Sequence, residues 1–279
     1  RYFEEWNHHV LDDPRVELIA NDGRNHVLLA EPQTYDVIVS EPPNPWISGV
    51  ANLFTKDFLE VGKTRLKPGG VWSQWVQLYG MDDRDLKTLL RTFAEVYPNV
   101  LVYSTIEEAD LVLVGSDRPL VPTKGRAERL FGWPKVAKEL RSVGIEDPME
   151  LVAIYQFGGE HIMGFAEHSP LNTDDNMRIE YSAPLHLHAE TQDENFRLLL
   201  KNAKIPSKGL PNDPEVWAEL AQTYYGRDDI VRAVAAYAGG IKLLDPADPR
   251  RVDWLAEAKS WQAELEADVA ALEDEDAEG

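Results

Sequence analysis

The sequence predicts an α/β sheet followed by an all-helical region, and three observations carry that expectation. Over residues 16–118, short apolar runs alternate with amphipathic stretches, the rhythm of a doubly wound sheet. The run Tyr35–Ser40 (YDVIVS) is continuous and β-branched, the pattern of a strand buried on both faces. Residues 213–272 carry only helical periodicity. The expected units are residues 1–118 for the α/β part, 119–188 for an extension or lid, and 189–279 for the helical region with its acidic end.

Taken in order, residues 1–10 (RYFEEWNHHV) place aromatic and apolar side chains at 2, 3, 6 and 10, a helical spacing that Asp12, Asp13 and Pro14 stop. A helix would point the adjacent His8 and His9 to different sides, whereas metal-binding pairs sit at i, i+4, so they read as a helix end. Residues 16–20 (VELIA) are expected as a strand, followed by Asn21, Asp22, Gly23 and Arg24 and a short helix over 25–31. After Tyr35–Ser40 come Glu41, Pro42, Pro43, Asn44, Pro45 and Trp46, a hinge at Gly49, and a helix opening near 52–54.

An amphipathic helix over 55–66 ends at Lys67, Pro68, Gly69 and Gly70, a stop signal with basic residues in the last turn. Residues 70–77 form the next strand. Asp82 or Asp83 caps a helix reaching about 95, with Leu86, Leu89, Leu90 and Phe93 on its inner face. Residues 99–104 and 111–115 are two further strands, close enough in sequence to pair antiparallel. Residues 124–142 read as one basic amphipathic helix and 148–157 as a second helical run, broken by Gly158, Gly159 and Gly164. A polar cluster over 169–176 precedes a strand-like 177–182, and His186 and His188 alternate as if on one face of a strand, without a third ligand nearby.

In the last part, Trp217, Leu220, Ala221, Tyr224, Ala233, Tyr237 and Pro246 follow tetratricopeptide spacing, with Gly240 where alanine is usual. The helices are expected over 215–225, 230–244 and 251–272. One such repeat cannot form a solenoid, so it either packs on the α/β part or docks a protein partner. Beyond Lys259 every charged residue is acidic, and the end of this tail is expected to be disordered.

Composition narrows the function. Of 279 residues, 28 are basic and 49 acidic, a net charge of −21, which disfavours a nucleic-acid backbone as partner. The same field attracts small cations, amines among them, and it also keeps a protein soluble. Without cysteine there is no disulfide, thiolate metal site or cysteine nucleophile, which fits a reducing compartment. No apolar stretch reaches the roughly 18–20 residues of a membrane span. With no Met at its start and no signal peptide, the chain is expected to lack an upstream portion.

The candidate chemistry gathers beyond strand ends, where open α/β sheets bind their ligands. Glu41 and Asn44 stand beyond the strand Tyr35–Ser40. Asp22, beside Gly23, either caps the following helix or accepts a hydrogen bond from an exocyclic amine such as adenine N6. Asp174 and Asp175 either hold an ammonium group or serve as a turn or cap.

DPRVELIANDGRN, YDVIVSEPPNPW, ANLFTKDFL and LKPGG, in that order, resemble the polyamine aminopropyltransferases, that is, spermidine synthase and its relatives, over about residues 13–77. SEPPNPWISG, QWVQLYGM and the later NTDDN are closer to bacterial spermidine synthase-like proteins, some fused to membrane segments. The resemblance implies a Rossmann-like methyltransferase fold, of which this chain holds the later half; the Gly-rich loop and the ribose-binding acid are expected upstream. It implies decarboxylated S-adenosylmethionine as co-substrate, a small amine as acceptor, and no metal. Asp22 and Gly23 match the adenine-binding Asp-Gly, and Ser40 and Pro42 fall against the same ligand. Glu41 stands where the family has its catalytic aspartate. Asn44 stands where it has a second aspartate, Gln74 lies near a glutamine that closes the site, and Asp174 or Asp175 is a remote anchor for the amine. Relatives are often oligomers. A cytoplasmic location is expected, at the membrane face if spans precede the chain. Two other readings remain open: a methyltransferase using S-adenosylmethionine, since EPPN loosely matches an amino-methyltransferase loop, and a degenerate binding or scaffold module.

Overall fold

The structure, a computed structural model, describes residues 6–106 and 109–278, with side chains described to 267 in the last helix. Its centre is a five-stranded sheet of order β1-β2-β4-β3-β5, formed by β1 (Tyr35–Ser40), β2 (Leu66–Gln77), β3 (Asn99–Ile106), β4 (Asp110–Ser116) and β5 (Tyr155–Gly158). β1 and β2 run parallel, with Ser40 opposite Gln74; the other pairings are antiparallel. The expected 99–104 and 111–115 hairpin is β3 with β4.

A parallel pair needs a crossover, and α2 (Lys56–Arg65) supplies it. Thr55 caps α2 by accepting from Phe58 N. Phe58 and Leu59 turn inward, and Phe58 meets Trp72 of β2 edge-on, ring centroids 5.4 Å apart. Beside α2 lies α3 (Asp83–Val96), capped by Asp82, with Leu86, Leu89, Leu90 and Phe93 in the core. α7 (Gly159–Ala166), α8 (Arg178–Ser182) and α9 (Gln192–Asn202) bury Ile162, Ile179 and Leu199 in the same core.

A second core joins α4 (Lys124–Phe131) and α6 (Pro148–Ala153) to α10 (Pro214–Tyr225), α11 (Ile230–Leu243) and α12 (Arg250–Glu278). Trp261 of α12 stacks on Tyr225 and Tyr237 at 4.3 and 4.9 Å. The two cores meet where Arg232 of α11, 7% exposed, pairs with Asp229 and donates to the carbonyl of Tyr155 in β5.

Several elements differ from the sequence expectation. Among the described residues β1 is an edge strand paired with β2 alone, and Val37 and Val39 are 55% and 69% exposed, because there the helices cover the other face. Residues 16–20 are extended but unpaired, with Leu18 75% exposed; apolar β-branched sequence makes a strand only where a neighbour offers a ladder. The expected helix at 1–10 lies partly outside the described residues. Its described part is a turn, with His8 and His9 at φ 54° and 56°, followed by the 3₁₀ turn Val10–Asp12.

The run 124–142 is two helices, α4 and α5 (Pro134–Ser142), divided at Gly132 because Pro134 has no N–H to continue a helix and suits a new first turn. The run 148–157 ends as strand β5, whose carbonyls and amides pair with β3. Residues 177–182 are helical, entered through Met177 at φ 40°, and His186 closes the 3₁₀ turn Ala183–His186 instead of lying on a strand. The acidic end is helical in its backbone through Glu278. Among the described residues no helix is long and apolar enough to cross a membrane.

Candidate functional site

The site is built at the carboxyl end of β1. Hydrogen bonding to β2 carries the chain to Ser40; then Pro42, which has no N–H, ends the ladder. Glu41 emerges exposed, and its carboxylate accepts no hydrogen bond among the described residues. Pro42 and Pro45 are buried and fix the loop, while Asn44 is half-buried between them, its carbonyl accepting from Ile47 N at 3.0 Å. Trp46 packs edge-on against Tyr79 beyond β2, centroids 6.2 Å apart. Gly49 turns the chain at φ 81°, a conformation that favours glycine.

Gln74 is 2% exposed, one strand in from Ser40. Its Oε1 accepts from Trp72 Nε1 at 3.2 Å and its Nε2 donates to the carbonyl of Trp75 at 3.3 Å. It is therefore held by its own strand, beside Ser40 in the parallel ladder. Asp22 caps α1 (Gly23–Leu29), one oxygen accepting from Asn25 N at 2.7 Å. It is exposed, and its second oxygen is free of hydrogen bonds among the described residues, so the cap and an acceptor role are compatible.

What ties these parts together has no counterpart in the sequence motifs. Arg24, in the first turn of α1, donates to Asp174, to Thr55 Oγ1 and to the carbonyl of Asn52, with its guanidinium 5.2 Å from the Phe58 ring centroid. Thr55 donates to the other oxygen of Asp174 at 2.7 Å, and Asp57 accepts from Asp174 N at 2.8 Å. Both Asp174 oxygens are thus engaged, whereas Asp175 is exposed and unpaired among the described residues. Buried Asn172 donates to the carbonyls of Ala51 and Phe54. Glu180 accepts from Ser48 Oγ and Gly49 N at 3.3 and 3.4 Å. The segment 172–180 therefore clamps the loop that follows Glu41. A basic residue in the first turn of a helix opposes the helix dipole, and that was the available signal for Arg24.

Among the described residues no group of three His, Asp or Glu side chains is placed to hold a metal ion. His186 Nε2 lies 3.5 Å from Asp82, a pair and not a ligand set.

The fold and loop define an α/β protein with a carboxylate, unpaired among the described residues, at the open end of its sheet. Residues 1–109 match the family described as "Spermine/spermidine synthase domain". The chain is 37% identical over 101 residues to polyamine aminopropyltransferase 2 of Pseudomonas aeruginosa, covering 36% of this chain and 29% of that protein. It is 42% identical over 72 residues to a polyamine aminopropyltransferase of Enterobacter, 26% of this chain and 24% of that one. To that of Halorhodospira halophila it is 40% identical over 60 residues, 22% and 21%. The chain thus matches less than a third of the length of these curated relatives. A probable spermidine synthase from Corynebacterium glutamicum, known from its crystal structure, aligns over 62% of this chain and 60% of that one, at 21% identity and a TM-score of 0.42, a likeness too slight to carry an argument.

Proposed function

We propose that this chain is the later part of a Rossmann-like aminopropyltransferase domain, to about residue 118, followed by a lid-like extension to about 188 and a tetratricopeptide-like helical region. Its reaction moves an aminopropyl group from decarboxylated S-adenosylmethionine to an amine. The observation that carries the reading is Glu41: an exposed carboxylate at the end of β1, unpaired among the described residues, before a loop held by the segment 172–180, inside the stretch that matches the family.

The co-substrate supplies an electrophilic carbon bonded to a sulfonium. The amine's lone pair forms the new C–N bond, the C–S bond breaks, and its electrons leave on sulfur as methylthioadenosine. Alkylammonium groups have pKa values of about 10, so the acceptor arrives protonated and must lose a proton before it attacks. Glu41 holds the cation and takes that proton as general base. Asn44 accepts a hydrogen bond from the amine and orients it, and Asp175 is the distal anchor for a second ammonium. Asp174 is occupied by Arg24 and Thr55 and acts on the amine only through the clamp. The free oxygen of Asp22 suits an exocyclic amine, with Gly23, Ser40 and Pro42 against the same ligand. Gln74 supports the site from the adjacent strand, beside Ser40. The net charge of −21 raises the local concentration of polyamine cations.

Calorimetry on the protein that contains this chain tests the ligand. S-adenosylmethionine, its decarboxylated form and methylthioadenosine are titrated into wild type and Asp22→Ala. The expected result is preference for the decarboxylated form, weakened in Asp22→Ala. Preference for S-adenosylmethionine would turn the reading to methyl transfer, and absence of heat with all three would leave a binding module.

A further inference from the structure

Four aromatic rings form one continuous face-to-face column in the helical region, and the transfer reaction does not use it. Tyr225, at the end of α10, stacks on Trp261 of α12 with 4.3 Å between centroids and 11° between planes. Trp261 stacks on Tyr237 of α11 at 4.9 Å and 15°, and Tyr237 on Trp254 of α12 at 5.7 Å and 23°. The aromatic pairs described around the sheet meet edge-on or tilted, at 35° or more, so the face-to-face order is particular to this column. Tyr237 and Trp261 are 2% and 5% exposed, whereas Trp254 and Tyr225, at the two ends, are half-buried and reach solvent.

The sequence of α12 repeats one device. Trp254-Leu255-Ala256-Glu257 and Trp261-Gln262-Ala263-Glu264 share a pattern two helical turns apart, so both tryptophans lie on one face, each with a glutamate three places on and beside it. Each glutamate accepts from one tyrosine: Tyr237 donates to Glu257 at 2.8 Å and Tyr225 to Glu264 at 3.0 Å. Burial, with the Glu257 hydrogen bond, pushes the Tyr237 hydroxyl up to about 12, and the Glu264 hydrogen bond raises that of Tyr225, so both phenols keep their protons at neutral pH. A phenol is hard to oxidise until its proton has somewhere to go, and a hydrogen-bonded carboxylate is such a place. The charges also grade along the column. Arg250, tied to Asp248 and Glu215, lies 5.8 Å from the Trp254 ring centroid, whereas Glu264, Asp228 and Glu257 act on the Tyr225 hydroxyl. A positive hole is therefore disfavoured at Trp254 and favoured at Tyr225. With no cysteine in the chain, no thiol of its own competes for it.

We propose that this column is a redox relay, which carries an oxidising equivalent from Trp254 to Tyr225 and holds it there as a neutral tyrosyl radical. A one-electron oxidant, such as the azide or carbonate radical, takes an electron from the Trp254 ring and is reduced. Trp254 recovers that electron from Tyr225 through Tyr237 and Trp261, and the Tyr225 hydroxyl proton passes to Glu264. The net change is one electron from Tyr225 to the oxidant and one proton from Tyr225 to Glu264. Tyr237 lends its proton to Glu257 and takes it back as the hole passes. At the solvent-reaching end an enediol or thiol reductant then returns a hydrogen atom to Tyr225, and Glu264 releases its proton to water. The relay rests on the helical region alone and holds whether or not the transferase reading is correct.

Pulse radiolysis of the complete chain in azide buffer tests the proposal, because the azide radical oxidises tryptophan and the tryptophanyl and tyrosyl radicals absorb in separate bands. The expected result is tryptophanyl decay matched by tyrosyl growth, at a first-order rate independent of protein concentration. Tyr225→Phe combined with Tyr237→Phe keeps the stacked rings and should abolish that phase. Tyr225→Phe alone should leave the radical on buried Tyr237, where ascorbate removes it more slowly. Glu264→Gln, which removes the proton acceptor, should slow formation of the Tyr225 radical about tenfold. Trp254→Leu should remove the phase, whereas Trp133→Leu, at an exposed tryptophan outside the column, should not. A rate that rises with protein concentration, tyrosyl growth unchanged in the double variant, or tryptophanyl decay with no tyrosyl growth in wild type would overturn the proposal. If the double variant does not fold, Glu264→Gln carries the comparison, and an unchanged rate there overturns it.

Discussion

Arg24 carries a positive charge into the first turn of a helix, where the dipole disfavours it, and what compensates is its set of oxygen partners on Asp174, Thr55 and Asn52. Hydrogen bonds to charged groups contribute about 1.5–3 kcal/mol each; the bonds to Thr55 and the Asn52 carbonyl are part-buried, while Asp174 is exposed. Arg24→Met should therefore lower unfolding free energy by about 2–3 kcal/mol in denaturant titration. Asp174→Asn should lose stability in the same assay, whereas Asp175→Asn should leave it unchanged and raise KM for a diamine. Asp85 makes a pH prediction. It is 1% exposed, and burial raises its pKa, with the nearby Asp82 charge adding to the rise; a hydrogen bond from Ser182 and the charges of Arg178 and His186 oppose it. The folded state then holds this proton more tightly than the unfolded chain, so stability falls as pH climbs from the ordinary carboxylate value toward the raised one. Asp85→Asn removes that fall: its Tm relative to wild type should be higher at pH 7 than at pH 4. Glu41, Asp22 and Asn44 were legible as residues because strand ends and turn prolines are local signals. The Arg24–Asp174 partnership was not, since 150 positions separate the pair and neither shows a local pattern.

At the scale of elements, close packing of α2 on β2 depends on Gly62. A Cβ at that position runs into the ring of Trp72, which is fully buried. Gly62→Ala should therefore destabilise by about 1–3 kcal/mol despite the better helix propensity of alanine, measured by chemical denaturation. Gly240 acts similarly in α11: a Cβ there would meet Trp217, the carbonyl of Pro214 and Trp254 at 3.1–3.4 Å, which explains glycine where the repeat pattern calls for alanine. Helices with a sharp cap and a clean apolar face, such as α2, α3, α10 and α11, were readable to within a residue or two. The short elements over 177–186 were not, because their conformation follows from contacts to the distant Ala51–Phe54 turn and to Glu180's partners, not from their own periodicity. β5 was hidden for the same reason: its sequence suits a helix until β3 offers it a ladder.

Over the whole molecule, the two cores interleave along the chain. Residues in α4 and α6 pack with the C-terminal helices, while α7, α8 and α9 return to the sheet. Linear boundaries at 118 and 188 follow composition, whereas packing follows which faces meet in space. Arg232 is the tie between the cores, buried with Asp229, and removing one member of a buried pair costs about 3–5 kcal/mol. Arg232→Met should lower stability by that order and expose β5 to faster amide exchange, read by hydrogen–deuterium exchange. The sheet itself was legible from its apolar runs, but its one-sided cover was not, since a run such as YDVIVS looks the same whether one face or both are packed.

The most direct test of the central claim is amine-dependent release of methylthioadenosine from decarboxylated S-adenosylmethionine by the protein that contains this chain, wild type against Glu41→Gln. The account predicts release that requires putrescine or a longer amine, and a kcat lowered by about 10²–10⁴ in Glu41→Gln, with the loss greatest at low pH where the amine is most protonated. Release that is unchanged by Glu41→Gln, or absent from wild type with every amine, would contradict it.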